Sequence, residues 1–237
     1  MIHSISVRSL ILGACFLLVA SPALAERDPD PWEGWNQRVF TFNQYFDDYL
    51  ARPVAETYVD VVPRPAQRGV RNFFSNLNDV TVLMNNLLQA KFRDAASDTG
   101  RILVNTTIGL GGLLDVASDA GFERNHEDFG QTLGRWGVGP GPYLVLPFMG
   151  PSTVRDAFGF ATDIYTGPVS SPDQVRLRNS LYGMYMLDTR VQALQLDSMM
   201  YGDQYIFMRD AYLQQRAYDV SDGEIDQDFD DDWSWDD

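Results

Sequence analysis

The sequence contains little cysteine and histidine and few basic residues, and each shortage excludes a class of function. Its one cysteine, Cys15, and one of its two histidines, His3, lie in the first 25 residues, which have the pattern of a removable leader. The remaining histidine, His126, cannot by itself form an ordinary zinc site. With 18 Lys and Arg against 33 Asp and Glu, the chain carries a net charge of −15. Such an acidic chain is not expected to bind nucleic acid.

The motifs of common catalytic and nucleotide-binding sites are missing as well. No G-x-S-x-G motif is present, and residues 150–152 (GPS) lack its spacing. Residues 109–112 (GLGG) lack the third glycine of a dinucleotide-binding loop. The adjacent acids Glu127 and Asp128 are more typical of solvated or helix-capping groups than of glycosidase carboxylates. We therefore expect no catalytic residue, metal or cofactor, and no enzyme; a lipid hydrolase using His126 is the less favoured alternative.

The first 25 residues have the three parts of a secretory signal. Residues 1–8 end in a positive charge, residues 9–20 are apolar, and residues 21–25 (SPALA) end in a small-residue cleavage site. This pattern predicts cleavage after Ala25. A competing interpretation treats residues 12–15 (LGAC) as a lipobox, with lipidation of Cys15. That alternative leaves an apolar stretch of only about six residues before the cut, which is short for a leader.

Amphipathic helices, rather than a membrane-spanning helix, account for the rest of the chain. Beyond residue 25, no window of about 18 residues is free of charged or strongly polar side chains. Apolar residues instead recur at steps of three and four, and no segment alternates with the period of a strand. Helices are predicted at Trp32–Leu50, Ala66–Asn76, Asn78–Ala90 and Asp94–Ile108, and at about 151–165, 174–196 and 203–218. Residues 26–218 are therefore expected to form one all-α domain.

The segment after this domain is strongly acidic. Residues 219–237 contain ten acidic residues and no basic one. A run of like charges cannot bury enough apolar surface to fold, so we expect a disordered tail. Either the tail only solvates the chain, or it docks on a basic partner.

Residues 134–150 (GRWGVGPGPYLVLPFMG) form a segment of a different kind. Five glycines and three prolines among seventeen residues disfavour a regular helix, yet most of the other residues are apolar. We interpret the segment as a long hydrophobic loop. Either it packs beneath neighbouring helices, or it faces lipid or a protein partner.

A series of motifs runs in order over residues 28–165. They are DPWEGWN (30–36), FN (42–43), RPVA (52–55), NFFSNL (72–77), LLQAK (87–91), NTTIG (105–109), EDFGQTLG (127–134), WGVG (136–139), GPY (141–143), LP (146–147), GPS (150–152) and RD (155–156). With these motifs the chain resembles the MlaA (VacJ) family of outer-membrane phospholipid-transport lipoproteins. In that family the lipobox usually ends the apolar run of the leader, whereas Cys15 lies in its middle.

The resemblance implies a fold, a location and a function. It implies a ring-like bundle of amphipathic helices in the periplasmic leaflet of the Gram-negative outer membrane, with an amphipathic channel and a trimeric porin beside it. Such a protein removes mislocalised phospholipid from the outer leaflet and passes it to a soluble periplasmic carrier, which maintains lipid asymmetry. The alternative is a cell-envelope scaffold or virulence-associated surface protein that uses the same apolar faces for protein contacts.

The resemblance also assigns roles to two sets of residues. The hinge loop at the channel edge comprises Gly137, Gly139, Gly141, Pro142 and Tyr143. The ring wall comprises Trp35, Phe42, Asn43 and Phe46. Glycine moves freely between backbone conformations, which suits a flexible joint, although these glycines could also serve only as turn residues.

Overall fold

The computed structural model describes residues 28–170, 172–194 and 202–224, and within them the chain is mostly helical. The helices are α1 Glu33–Phe46, α2 Arg52–Val61, α3 Arg64–Leu88, α4 Phe92–Thr107, α5 Val116–Asp119, α6 Phe129–Arg135, α7 Val154–Thr166, α8 Val175–Ala193 and α9 Gln204–Val220. A π-helical turn, Asp47–Ala51, joins α1 to α2, and a 3-10 turn, Pro168–Ser170, follows α7. The predicted helical fold class is confirmed. The leader with Cys15, and residues 225–237 of the acidic tail, lie outside the described residues.

Helix α3 is longer than the sequence pattern predicted. It runs for 25 residues, where two helices had been expected to meet near Asn78 as a cap. Asn78 instead faces solvent. Its polar neighbours bind the adjacent helix: the Asn76 amide donates to Thr106 over 3.1 Å, and Asp79 accepts from Arg101 over 3.3 Å. The buried polar side chains on either side of Asn78 hold α3 against α4, and the helix continues through this position without a break.

The predicted hydrophobic loop contains a short antiparallel hairpin. Strand β1, Tyr143–Leu146, pairs with strand β2, Gly150–Thr153. Tyr143 and Val145 are buried, whereas Phe148 at the turn is about half exposed. The strand residues therefore pack beneath neighbouring elements, and contact of the exposed turn with lipid or a protein partner stays a prediction. Each strand has four residues, too few to produce a recognisable alternation in the sequence.

The contacts between elements close into a ring, as the family resemblance implied. Helix α1 packs on β1, β2 on α9, α9 on α6, α6 on α3, α3 on α8 and α8 on α2. The π-helical turn then leads from α2 back to α1, and within it Asp47 accepts from Arg190 of α8. Helix α7 packs against α6 and the hairpin.

The distribution of polar and apolar side chains is the reverse of that in a typical globular domain. Among the described residues, seventeen buried side chains are polar or charged and ten are apolar or aromatic. Large apolar side chains lie outside instead; Leu103, Ile108 and Tyr165 have exposed fractions of 60%, 65% and 86%. Buried residues in water-soluble domains are mostly apolar, so this exterior is typical of contact with an apolar phase. Across the described ranges, no helix has the length and apolarity required to cross a membrane.

Candidate functional site

The interface between α3 and α4 is a polar seam. Arg101 is fully buried; its Nε lies 3.3 Å from Asp79, and its two terminal nitrogens donate to Asp115 and Ser118 over 3.1 Å. Further along the seam, the Asn86 amide donates to Asp98 over 2.7 Å. Burial raises the pKa of Asp79 although Arg101 opposes the shift. These bonds pair most of the polar groups between the helices, although the buried amide oxygens of Asn76 and Asn86 have no partner among the described residues. The apolar faces of both helices are left outside.

A second polar network joins α3 to α6 and α7. The Thr132 hydroxyl donates to the Asn85 carbonyl oxygen over 2.8 Å, and the Asn85 amide lies 3.3 Å from Asp163. Asp163 also accepts from the backbone N–H of Phe129 at the start of α6 over 2.9 Å. Burial raises the pKa of Asp163, since these donors only partly compensate for lost hydration. The interior is thus polar on more than one side of the ring.

Asn36 connects the first helix to the hairpin. Its amide nitrogen donates to Asp30 over 2.7 Å and to the Tyr143 carbonyl over 3.1 Å, while its oxygen accepts from the Val145 N–H over 2.9 Å. Tyr205 of α9 donates its hydroxyl to the other oxygen of Asp30. Asn36 is fully buried, so its three hydrogen bonds are made away from water.

Three of the four predicted ring-wall residues meet at the hairpin turn. The Asn43 amide donates to the Leu146 carbonyl over 2.9 Å, and its oxygen accepts from the Phe148 N–H over 2.8 Å. The Phe148 ring lies edge-on to the rings of Phe42 and Phe46, with centroids 5.2 and 4.8 Å apart. We call these contacts the Asn43 clamp. Their role as channel wall stays a prediction.

The fourth predicted ring-wall residue, Trp35, lies apart from this cluster. Its side chain is 60% exposed on α1. An exposed indole suits the boundary between an apolar phase and water.

The predicted hinge residues form the connection from α6 to the hairpin. Gly137 and Gly141 have positive φ angles of 88° and 68°, which favour glycine. Gly139 lies in open space, and no positive φ constrains it. Pro142 accepts a backbone hydrogen bond from Val154 over 3.1 Å. Tyr143, which begins β1, is buried, so the predicted loop includes both open and fixed positions.

An apolar pocket of about 620 Å³, open to solvent, lies between α7, α8 and the end of β1. We call it the α7–α8 cavity. It is lined by Leu146, Ala157, Phe160, Ala161, Ile164, Tyr165, Ser170, Arg178 and Tyr182. Sequence reasoning missed this cavity, because its lining comes from residues that no single motif contains.

Arg216 of α9 fixes the last helix to the body. Its guanidinium donates to both oxygens of Asp128 over 2.6 and 2.5 Å, and to Asp156 over 3.1 Å. Burial alone would raise the pKa values of both acids. The Arg216 guanidinium holds the pKa of Asp128 below its ordinary value, and Arg155 together with Arg216 does the same for Asp156. Asp128 also caps α6 by accepting from the Gln131 N–H. Asp128 is therefore a helix-capping group, in agreement with its interpretation from the sequence.

Comparisons with known proteins agree with this architecture. The profile of the family described as MlaA lipoprotein matches residues 28–219. The intermembrane phospholipid transport system lipoprotein MlaA of Escherichia coli (strain K12) is 35% identical over 225 residues, which cover 92% of this chain and 89% of that protein. The protein of the same description from Haemophilus influenzae (strain ATCC 51907 / DSM 11121 / KW20 / Rd) is 32% identical over 212 residues, or 85% and 83%.

A solved structure is similar as well. It comes from work on the structural basis for maintenance of bacterial outer membrane lipid asymmetry, and it matches with a TM-score of 0.72 and 36% identity. The match covers 82% of this chain and 100% of that chain. Family profile, relatives and fold agree, and the chain belongs to the MlaA lipoprotein family.

Proposed function

We propose that this protein is the outer-membrane component of an intermembrane phospholipid transport system. It removes mislocalised phospholipid from the outer leaflet through an amphipathic channel and passes it to a soluble periplasmic carrier. The single observation that carries the proposal is the reversed distribution of side chains, with polar groups buried and large apolar groups exposed. Family membership supports the same function.

The physical argument concerns the two halves of a phospholipid. Its charged head is costly to move through hydrocarbon, whereas its acyl chains are costly to expose to water. A ring with an apolar outside and a polar inside lets the head stay solvated while the chains stay in apolar surroundings. Such movement requires no covalent chemistry, so we propose a transport protein and not an enzyme.

We place the protein in the Gram-negative outer membrane, on the periplasmic side, with its apolar exterior in one leaflet. The proposed partners are phospholipid, a trimeric porin that holds the ring, and the soluble periplasmic carrier. Because the chain is acidic, anionic lipid heads add no general attraction. Docking therefore depends on apolar area and on a protein partner.

The leader alternatives make different chemical predictions about the mature N-terminus. We propose cleavage after Ala25, which gives an unmodified chain that begins at Glu26. Lipidation would instead leave an acylated Cys15 at the start. The intact mass of the protein purified from membranes distinguishes the two.

The function is tested in a strain that lacks the gene and is complemented with the wild-type chain. We expect the deletion strain to expose more phospholipid to an externally added phospholipase and to become sensitive to detergent, and we expect the wild-type chain to reverse both. Phospholipid should also copurify with the protein. Unchanged surface exposure, together with protein free of phospholipid, would contradict the proposal and favour the scaffold alternative.

A further inference from the structure

Arg178 is the one charged side chain that lines the α7–α8 cavity. It is half-buried in the second turn of α8. Among the ion pairs and side-chain hydrogen bonds of the described residues, none involves Arg178. Two of the hydroxyls that share the lining, those of Ser170 and Tyr182, are already engaged within the protein. Ser170 donates to the Gly167 carbonyl over 2.8 Å, and Tyr182 donates to that of Ile164 over 3.5 Å.

The surroundings of Arg178 differ from those of the buried arginines. Arg101, Arg155 and Arg216 each donate to an aspartate at 3.3 Å or less. A cation removed from water is stabilised only when a partner of opposite charge compensates its lost hydration. The chain carries a net charge of −15, yet among the described residues no carboxylate is paired with Arg178. The cavity therefore offers a cation to an anion from outside the chain.

We propose that the α7–α8 cavity is a phospholipid-binding site in which the acyl chain lies on the apolar lining and the phosphate binds Arg178. This inference rests on the proposed function and names the residue that contacts the head group. The planar guanidinium presents two parallel N–H donors, a geometry that matches phosphate. The volume of about 620 Å³ falls within the common range for small-molecule pockets.

The rim of the cavity supports the same orientation. Tyr165 lines the cavity and is 86% exposed, so its ring lies at the mouth. Phe160 and Ile164 lie on the same helix and supply the apolar wall. An apolar wall with an aromatic ring and a cation suits an amphiphile better than a soluble anion, for which the wall would provide no binding energy.

The chain provides a matched control for the charge of Arg178. Arg176 lies two residues earlier on the same helix, is exposed, and does not line the cavity. Replacing either arginine with glutamine removes one positive charge from α8. Arg178→Lys keeps the charge but loses the two parallel donors. Ala161→Trp adds bulk at an exposed position of the lining and tests the apolar part.

The experiment uses the purified full-length protein in detergent micelles. Two probes carry the same photoreactive acyl chain: a phosphatidylglycerol and the corresponding diacylglycerol, which lacks the phosphate. Mass spectrometry locates the labelled peptides. We expect wild-type labelling within 154–166 and 175–193, and a preference for the phosphate-bearing probe. Arg178→Gln should reduce that preference about tenfold, as expected for a lost charged hydrogen bond, whereas Arg178→Lys should reduce it less.

The variants and the labelled positions give independent ways to overturn the inference. Arg176→Gln should keep the preference, and Ala161→Trp should reduce the labelling by both probes. Labels that fall elsewhere in wild-type protein, an unchanged preference in Arg178→Gln, or an equal loss in Arg176→Gln would overturn it. Because the label positions are measured in wild-type protein, that part of the test does not depend on the folding of any variant.

Failure of this inference is distinguishable from failure of the proposed function. If the wild-type protein takes up neither probe and does not restore the deletion strain, both are wrong. If it restores the strain and binds phospholipid, but the labels lie outside α7 and α8, only the assignment of the cavity and Arg178 is wrong.

Discussion

The backbone N–H of Phe148 donates to the side-chain oxygen of Asn43 over 2.8 Å, across 105 positions of sequence. The amide nitrogen of Asn43 donates to the Leu146 carbonyl, so one side chain binds both sides of the hairpin turn. Phe148 has a positive φ of 65°, which is uncommon for a residue other than glycine. The Asn43 clamp therefore holds a strained turn against the first helix.

Asn43→Ala should loosen this turn. The substitution leaves the Phe148 N–H and the Leu146 carbonyl without their partner, at a cost of about 1 to 2 kcal/mol. Hydrogen exchange at the Phe148 amide should become faster by about tenfold. Gln44→Ala is the control, since Gln44 bonds only an exposed Gln204. Equal exchange in wild type and Asn43→Ala would contradict the clamp.

Asn36→Ala should destabilise the whole domain more strongly. Three buried hydrogen bonds depend on this amide, so we expect a loss of about 3 kcal/mol in the free energy of unfolding. Gln37→Ala, at an exposed neighbouring position with a single side-chain bond to Glu33, should change stability by less than about 0.5 kcal/mol. Urea unfolding in detergent measures both. Similar losses in the two variants would show that Asn36 has no special role.

The Arg216 pairs predict a specific dependence of stability on pH. The pKa values of Asp128 and Asp156 lie below their ordinary values, so their unfolded forms bind protons more readily. The stabilisation is therefore present above a pH of about 4, near the unfolded pKa, and is lost as pH falls through the lower folded pKa values. Unfolding measured from pH 7 down to acid should show this decrease.

Arg216→Leu should remove part of that acid dependence. The variant leaves Asp156 buried without one of its two cations, and Asp128 without its guanidinium partner. We expect a loss of about 3 kcal/mol at neutral pH, near the low end for a broken buried pair because Asp128 is partly exposed. Arg135→Leu, at a more exposed arginine, is the control. If the free energy of unfolding of Arg216→Leu depended on pH as in wild type, the acid dependence would not come from the Arg216 pairs.

The predicted hinge glycines differ in the side chains that could replace them. Gly141 has a positive φ, and an added Cβ would lie 3.3 Å from the Val154 Cβ, so Gly141→Val should distort the loop. Gly139 has open space around it, and Gly139→Ala should be tolerated. We expect detergent sensitivity of the outer membrane with Gly141→Val at unchanged protein level. Detergent resistance equal to that of wild type would remove the hinge role.

The exposed apolar side chains at the end of α4, Leu103 and the C-capping residue Ile108, should determine membrane partitioning. The double substitution Leu103→Glu and Ile108→Glu places two charges on the apolar exterior. It should weaken binding to phospholipid vesicles by about tenfold or more. Asn78→Glu introduces a charge at an exposed polar position of α3 and should have little effect. Vesicle flotation measures the bound fraction. Equal flotation of all three proteins would argue against insertion of this face.

Helix α3 illustrates how far the sequence predicts the fold. Its helical structure was predicted correctly, because apolar residues such as Leu83, Met84 and Leu87 recur at helical spacing. In the structure the buried face belongs to Asn85, Asn86 and other polar residues, while Met84 and Leu87 are exposed. Periodicity identifies two faces but not which one is buried, since that depends on whether the surroundings are water or hydrocarbon.

Long-range partners were the part that sequence reasoning could not provide. The clamp depends on two residues 105 positions apart, and the α7–α8 cavity draws on β1, α7 and α8. Pro53 lies near the start of α2, directly after the π-helical turn. A proline is tolerated there, because the first turn of a helix needs no N–H donor.

The order in which the ring closes follows from the position of α9 near the end of the chain. This helix supplies Tyr205 to Asp30 near the beginning of the described chain, and Arg216 to Asp128 and Asp156. Helix α9 is synthesised after every other described helix. The ring therefore stays open until synthesis is nearly complete. A chain that stalls or is clipped before α9 would leave the ring open and Asp128 without its guanidinium partner.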